Sequence, residues 1–241
     1  MSFPVLMLIS CFVGVAGTGA GGLLALTTMR PKETHLSFAM AAAGGVMLAV
    51  TLLNMLPEAL KNDALRGSLG VVAGGLFIYI CKGFLEQTRN KGSENYVNIG
   101  FLMALGIAVH NLPEGMAVGS GMVSMDASSI GLTVAILLHD APEGLAVAIP
   151  MRMSKMSGFK VVLVTMLSGL PTAIGMLLGY AIGNVSQSFL DFCTGFAAGA
   201  MLVLVLSEMI PDSFRIAGKR AAFALVIGVV VGVCIVLVSK L

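Results

Sequence analysis

The chain has 241 residues, of which 57% are hydrophobic and only 11% are charged, and its formal net charge is +2. Soluble domains carry about a quarter charged residues, so a chain this apolar cannot cover itself with polar groups in water and must dissolve in lipid. The small net charge gives no support to a nucleic-acid partner or to a polybasic membrane-surface role. We therefore expect a multi-pass protein of the lipid bilayer.

Hydropathy divides the chain into eight apolar stretches, each close to the roughly 20 residues that cross a bilayer as a helix. We predict an all-α membrane protein with one transmembrane domain over residues 1–241. The first stretch begins at Phe3 with no basic residue before it, so we interpret it as a span and not as a signal peptide. The polar connection 86–98 is predicted to be a loop. The predicted spans, first to eighth, are 4–28, 36–60, 68–88, 99–121, 128–150, 159–183, 188–212 and 220–240.

The basic residues predict how the spans are oriented. If the N-terminus lies outside the cytoplasm, eleven of the fourteen Lys and Arg residues fall on cytoplasmic connections and three fall outside. An excess of Lys and Arg on the cytoplasmic side is the rule for multi-pass proteins. We therefore expect both termini to lie outside the cytoplasm, with the protein in the plasma membrane or the bacterial inner membrane.

The second and seventh predicted spans contain an internal repeat. Residues 43–58 (AGGVMLAVTLLNMLPE) align without gaps to residues 197–212 (AAGAMLVLVLSEMIPD), with seven identities. The predicted orientation makes these two spans run in opposite directions, so the repeat is inverted, as in many secondary transporters. We expect spans one to three and six to eight to be related by this repeat around a central antiparallel pair, spans four and five.

That central pair carries two matched motifs, HNLPEG at 110–115 and HDAPEG at 139–144. His110 and His139 each lie about eleven residues into their predicted spans, which is about 16 Å deep at 1.5 Å per residue. That depth is the midplane of a hydrocarbon core about 30 Å thick. Each motif also contains a proline, which removes one helical hydrogen bond beside the histidine. Interrupted, charged segments at the midplane are typical of a transporter's substrate site.

The side chains of the two motifs suit a metal ion. Within each motif the histidine and the glutamate are four residues apart and share a helix face, and the residue after the histidine lies on an adjoining face. Two imidazoles and two carboxylates form a ligand set for a borderline cation such as Zn²⁺. The amide, the aspartate and the same two glutamates offer a second, oxygen-rich site. The candidate ligands are His110, Asn111, Glu114, His139, Asp140 and Glu143.

Glu208 is a further site candidate, one turn before a proline in the seventh span. With it, four acidic side chains are predicted inside the bilayer, where each charge costs about 2.5 to 3.5 kcal/mol. No Lys or Arg lies near them in sequence, so divalent cations or protons must neutralise them. Asn54, Glu58 and Asp212 are weaker candidates, the last two because they lie close to span ends. His35 is interpreted as a solvated residue at a span edge.

HNLPEG followed by HDAPEG, in an eight-span chain with a later Glu-x-x-Pro at Glu208, resembles the Zrt/Irt-like (ZIP) family of metal transporters, most closely its short prokaryotic-type members. The resemblance covers essentially the whole chain, and it implies a binuclear site. The first metal would bind His110, Glu114, His139 and Glu143. The second would bind Asn111, Asp140, Glu208 and the bridging Glu114 and Glu143.

The resemblance also implies how the protein works. Metal would enter the cytoplasm by an elevator-like motion, in which spans one, four, five and six carry the site past spans two, three, seven and eight. Homodimers are common in the family, so a homodimer is expected here too.

We therefore expect a divalent metal transporter that prefers Zn²⁺, with Cd²⁺, Fe²⁺, Mn²⁺ and Co²⁺ as further candidate substrates, no prosthetic group and no enzymatic activity. The alternative from another class is an intramembrane zinc metallohydrolase, which would also need histidines and acids at the midplane. Against it, the chain has no HExxH and has too many carboxylates for an open three-ligand site. A metal-gated sensor ranks last because the chain has no soluble output domain.

Overall fold

A computed structural model describes residues 3–27, 32–87, 93–121, 127–182 and 186–239 of the protein. Within these residues the chain forms eight long helical spans and no β-strand, so the predicted all-α architecture is confirmed. Two spans are composite, because the π-helical segments Thr51–Met55 and Val205–Met209 interrupt them. The α-helices are α1 (Phe3–Thr27), α2 (Glu33–Val50), α3 (Leu56–Ala59), α4 (Ala64–Gln87), α5 (Ser93–Gly121), α6 (Ala127–Met153), α7 (Gly158–Ile182), α8 (Gln187–Leu204), α9 (Ile210–Ala217) and α10 (Arg220–Ser239).

The surface of the protein is that of a multi-pass membrane protein. Seven of the spans are long and apolar enough to cross a membrane. The remaining one, α6, carries Asp140, Glu143 and Arg152. Large apolar side chains such as Val72 on α4 and Phe223 on α10 are mostly exposed, which is favourable only against lipid.

The predicted loop over 86–98 is shorter in the structure. Helix α4 continues to Gln87, α5 already begins at Ser93, and residues 88–92 lie outside the described residues. The sequence SENYVN has too few apolar residues to show helical periodicity, which is why the start of α5 was missed.

The inverted repeat is present in the structure at the level of single residues. The two π-helical segments occupy equivalent positions, 51–55 and 205–209, and a proline follows each of them two residues later. The second span and the seventh span are antiparallel, since Ser37 donates a hydrogen bond to the carbonyl of Ser213 and Gly44 lies beside Met209. The repeat found by alignment is therefore a structural repeat with its second copy inverted.

Close helix packing follows the same repeat. Equivalent residues of the two copies differ by 154 in number, so Gly21 of α1 corresponds to Gly175 of α7. A side chain on Gly21 would collide with the backbone of α6, and a side chain on Gly175 would collide with the backbone of α5. Likewise, Gly45 in α2 lies against the backbone of α10, and Gly199 in α8 lies against the backbone of α4. Glycines let helix backbones approach closely inside a membrane, so the repeat fixes which helices pair.

These pairings divide the helices into two bundles. The motif bundle contains α1, α5, α6 and α7, and the repeat bundle contains α2 to α4 and α8 to α10. The bundles meet where α5 packs on α8 and where α6 packs on α2 and α10. A buried apolar core lies between them and includes Met40, Met103, Ile107, Met151 and Leu204. The site motifs thus belong to one bundle and lie at its boundary with the other.

Candidate metal centre

The two motifs meet because α5 and α6 are antiparallel neighbours. Gly100 near the start of α5 lies beside Met151 at the end of α6. Further along, the rings of His110 and His139 have their centroids 6.3 Å apart. Both helices continue through the prolines of their motifs, each of which leaves one carbonyl without its helical donor. The predicted convergence of the two histidines is therefore realised.

Two histidines and a glutamate form the nearest cluster. His139 Nε2 lies 3.2 Å from Glu114 Oε1, and His110 Nε2 lies 3.5 Å from Glu114 Oε2. One ligand atom from each of these three side chains lies within 4.8 Å of the other two. Glu143 Oε1 is 3.8 Å from His110 Nε2. A tetrahedral Zn²⁺ holds N and O ligands at about 2.0 to 2.2 Å, so small side-chain movements would close these four residues around one ion.

A second set of atoms beside this cluster has no hydrogen-bond partner within the described part of the chain. The atoms are all buried oxygens. Four belong to the motifs, namely Asn111 Oδ1, both carboxylate oxygens of Asp140 and Glu143 Oε2, and the fifth is Oγ1 of Thr172, a residue of α7 whose backbone lies against Gly115, next to Glu114. An unpaired buried polar group is costly, and a charged one more so. Oxygen ligands without hydrogen-bond donors are what a hard or borderline cation requires. The arrangement therefore fits a second cation better than a plain packing role.

The neighbouring helices α1 and α7 position this second set. The amide of Asn111 donates from Nδ2 to the carbonyl of Ser168 at 3.1 Å, so its oxygen is left for another partner. Asp140 packs directly on Gly17, where a Cβ would come within 3.0 Å of Asp140 Oδ2. Both contacts are made inside the motif bundle, which therefore orients Asn111 and Asp140.

Glu208 occupies a different place. It lies in the second π-helical segment, and its Oε1 forms an ion pair of 2.6 Å with Lys82 Nζ of α4. Lys82 also donates to the carbonyl of Ser207 at 3.1 Å, the carbonyl for which Pro211 has no N–H. In this arrangement, Glu208 is held within the repeat bundle by a basic residue, whereas the six motif residues lie in the motif bundle.

The weaker candidates lie towards the ends of their spans or face outwards. Glu58 is exposed and 3.7 Å from Lys61. Asp212 is buried, and its Oδ1 lies 3.0 Å from Arg215. His35 accepts a hydrogen bond at Nδ1 from the backbone N–H of Lys32 and is exposed, as expected for a solvated span edge. Asn54 is half-buried in the first π-helical segment.

Two residues were missed by sequence reasoning. Thr172 was missed because a threonine in an apolar span has no signature of its own, although Thr18 is its equivalent in the repeat. Lys82 was counted only as a cytoplasmic charge, because its pairing with Glu208 spans more than a hundred residues. The alignment of 43–58 with 197–212 could have been extended, and it would then have found Thr172 but not the ion pair.

Comparison with known proteins identifies the family to which this chain belongs. A sequence profile of the ZIP zinc transporter family matches residues 86–240. Zinc transporter ZupT of Stenotrophomonas maltophilia is 31% identical over 236 residues, covering 88% of this chain and 87% of the relative. Zinc transporter ZIPB of Bordetella bronchiseptica is 36% identical over 242 residues, covering 88% and 76%, and zinc transporter GufA of Myxococcus xanthus is 34% identical over 168 residues, covering 67% and 66%. The profile spans both motifs and the seventh span, and the chain therefore belongs to the ZIP family of metal transporters and is not an enzyme.

Proposed function

We propose that this protein transports Zn²⁺ across a cell membrane into the cytoplasm, with both chain termini on the outer side. The observation that supports it best is the cluster of His110, Glu114, His139 and Glu143, in which two antiparallel, proline-interrupted helices bring buried nitrogen and oxygen ligands together. The names of the relatives, all zinc transporters, agree with this choice of ion. The remaining candidate ions are Cd²⁺, Fe²⁺, Mn²⁺ and Co²⁺. Family membership leaves no support for the metallohydrolase alternative.

The proposed centre is binuclear. The imidazole-rich half binds the first ion, and the oxygen-rich half binds the second through Asn111, Asp140 and the shared glutamates. The unpartnered buried oxygens support this second half. Thr172 Oγ1 is a neutral ligand available in it, and Glu208 joins it only in a conformation where metal has replaced Lys82. Neutral and anionic oxygens without a soft ligand make this half less selective than the first.

We further propose that the motif bundle moves against the repeat bundle. Glycine-mediated backbone contacts lie inside each bundle, whereas the contact of Gly106 in α5 with α8 is made to the side chain of Leu204. The apolar core between the bundles includes Met103 and Ile107, which precede His110 on the side assigned to the cytoplasm. Opening the centre towards the cytoplasm therefore requires the bundles to separate or slide. A homodimer is also proposed, on the family resemblance alone.

The proposed function is tested by metal flux into proteoliposomes loaded with a Zn²⁺-sensitive dye. The wild-type protein should take up Zn²⁺, Glu143→Gln should not, and Glu58→Gln, the same chemical change at an exposed site, should behave as the wild type. No uptake by folded wild-type protein under either a pH gradient or a potential would overturn the transport proposal. Uptake that persists in Glu143→Gln would overturn the site.

Bundle movement is tested by cross-linking in a background without the four natural cysteines. A cysteine pair replacing Gly106 and Leu204 joins the two bundles, and its closure should abolish flux. A pair replacing Gly75 and Val203 lies inside the repeat bundle at a comparable contact, and its closure should leave flux intact. Equal flux after both cross-links would contradict a moving bundle.

A further inference from the structure

A polar cavity lies between the two bundles, well away from the metal centre. It has a volume of about 280 Å³ and is lined by residues from the start of α2, the start of α5 and from α9, including Glu33, Tyr96, Asp212 and Arg215. Helix α5 belongs to the motif bundle, and the other two belong to the repeat bundle. The cavity is at the end of the molecule that the proposed orientation assigns to the cytoplasm. It therefore lies where the two bundles would part to release an ion.

The first acidic residue of this cavity, Glu33, has a neutral hydrogen-bond donor as its partner across the cavity. Tyr96 donates a hydrogen bond of 2.9 Å to Glu33 Oε1, and this bond crosses from the motif bundle to the repeat bundle. A phenol is a neutral donor, so a divalent cation that replaces it gains a charge interaction that the phenol does not supply. Glu33 is thus an anion whose partner across the cavity can be exchanged for a cation.

Asp212 supplies the second acid. It is only 9% exposed, and its Oδ2 has no hydrogen-bond partner within the described part of the chain. Its Oδ1 pairs with Arg215, whose side chain is 62% exposed and can turn into solvent. A buried carboxylate oxygen without a donor is costly, and a cation in the cavity would satisfy it.

One helix, α5, carries residues of both the cavity and the metal centre. His110 and Tyr96 lie on the same helix, fourteen residues apart, which is about 21 Å at 1.5 Å per residue. The residues between them include Ile99, Met103 and Ile107 of the apolar core that closes this route. Separation of the bundles would break the Tyr96–Glu33 bond and open the route at the same time.

We propose that this cavity is the cytoplasmic release site, in which a hydrated divalent cation binds between Glu33 and Asp212 before it leaves. The proposal rests on the proposed transport function and direction. Two carboxylates with water as the remaining ligands give weak binding, and Kd values of about 10⁻⁴ to 10⁻³ M are typical of low-affinity oxygen sites. Weak binding suits a release site, because the ion must leave readily.

The binding test uses Cd²⁺ as the probe and removes the central site first. In the full-length His110→Ala/Glu114→Ala/His139→Ala/Asp140→Ala/Glu143→Ala protein, which lacks every charged and imidazole ligand of the central site, equilibrium dialysis with radioactive Cd²⁺ should still detect one weak site. Adding Glu33→Gln should weaken that site at least tenfold, and adding Asp212→Asn should do the same. Glu58→Gln is the matched control, because Glu58 is the repeat equivalent of Asp212, and it should change nothing.

Because Asp212 is buried, its variant could fold poorly, and the exposed Glu33 keeps the test decisive. No residual Cd²⁺ site, or a residual site that Glu33→Gln leaves unchanged, would overturn the release site. The proposed function is judged separately, by whether the wild type transports Zn²⁺ at all. In a transporting protein, Glu33→Gln should lower the maximal rate several-fold and leave the KM for external Zn²⁺ within about twofold; a change in KM alone would also overturn the proposal.

Discussion

The two copies of the repeat share their packing but not their charges. Gly21 and Gly175 make the same contact in the two copies, and both copies contain a π-helical segment at the same position. The residue at position four of that segment, however, is Asn54 in the first copy and Glu208 in the second. Architecture and chemistry therefore depend on different residues. Small residues and prolines define the inverted frame, and a few polar substitutions make the two copies chemically different.

The central motifs differ from the repeat bundle in how their charges are balanced. In the repeat bundle, the charge partner of Glu208 is a side chain of the protein itself, since Lys82 Nζ lies 2.6 Å from Glu208 Oε1. In the motif bundle the charge partners of Glu114 are two histidines, at 3.2 and 3.5 Å. A permanent partner makes a carboxylate structural, whereas histidine and unpaired oxygens leave room for a mobile cation.

The largest effect is expected from removing either histidine. Both imidazoles face the same carboxylate of Glu114, so His110→Ala and His139→Ala should each lower Zn²⁺ flux at least about 100-fold, above the effect usual for an outer-shell partner. The two losses should agree within a few-fold, because the histidines hold equivalent positions in the two matched motifs. Flux of reconstituted, folded variants measures this. A variant that keeps most of its flux would show that the two motifs do not share one ion.

The next largest effect is expected at Lys82. Removing one partner of a buried ion pair costs about 3 to 5 kcal/mol, so Lys82→Val should strongly lower the thermal stability of the protein in detergent. The inverted repeat indicates a second substitution that should restore stability. In the other copy, Val236 stands at the position of Lys82 and Asn54 at the position of Glu208, so neither residue of the ion pair is charged there. The double variant Lys82→Val/Glu208→Asn should therefore recover most of the loss. If the double variant is as unstable as the single one, the ion pair is not what stabilises this position.

A smaller effect is expected from the glycines that define the repeat. Gly21→Val and Gly175→Val would each place a side chain against the backbone of a neighbouring helix, and overpacking of this kind costs about 1 to 3 kcal/mol or more. The two losses of stability should be similar. Gly83→Ala is the matched control, because nothing lies within 4 Å of its added Cβ, and it should stabilise α4 by up to about 1 kcal/mol. A loss in only one of the two valine variants would show that the copies pack differently.

Much of this fold could be predicted from the sequence, for identifiable reasons. The spans are long and apolar, and the paired prolines and glycines leave a readable pattern at 110–115 and 139–144. Periodicity does not report on polar helical ends, so the sequence predicts a loop for the first six residues of α5. Nor does it report on long-range pairing, so the partners of Glu208 and Glu33 could not be predicted. Sequence motifs thus show which side chains share the same chemistry in the two halves of the site. The partner that neutralises each acidic side chain depends on its neighbours in three dimensions, which the motifs do not contain.

The smallest effect is expected from an ion pair that both copies retain. Glu58–Lys61 in the first copy and Asp212–Arg215 in the second have the same spacing and equivalent positions. The first pair is exposed and 3.7 Å apart, and surface pairs contribute about 0.2 to 1 kcal/mol, so Lys61→Gln should change the stability by less than about 0.5 kcal/mol. Arg215→Gln leaves the buried Asp212 without its partner and should cost about 1 kcal/mol, discounted because Arg215 itself is mostly exposed.

These two variants also separate a structural role for the pair from a role in metal release. If the second pair only stabilises α9, Arg215→Gln should lower stability and leave weak Cd²⁺ binding unchanged. If the cavity accepts a cation, removing the arginine makes the cavity more negative, and the same variant should bind Cd²⁺ more tightly while it becomes less stable. Lys61→Gln should show neither change, because its glutamate faces solvent. Opposite movements of stability and affinity in one variant cannot arise from unfolding, which lowers both.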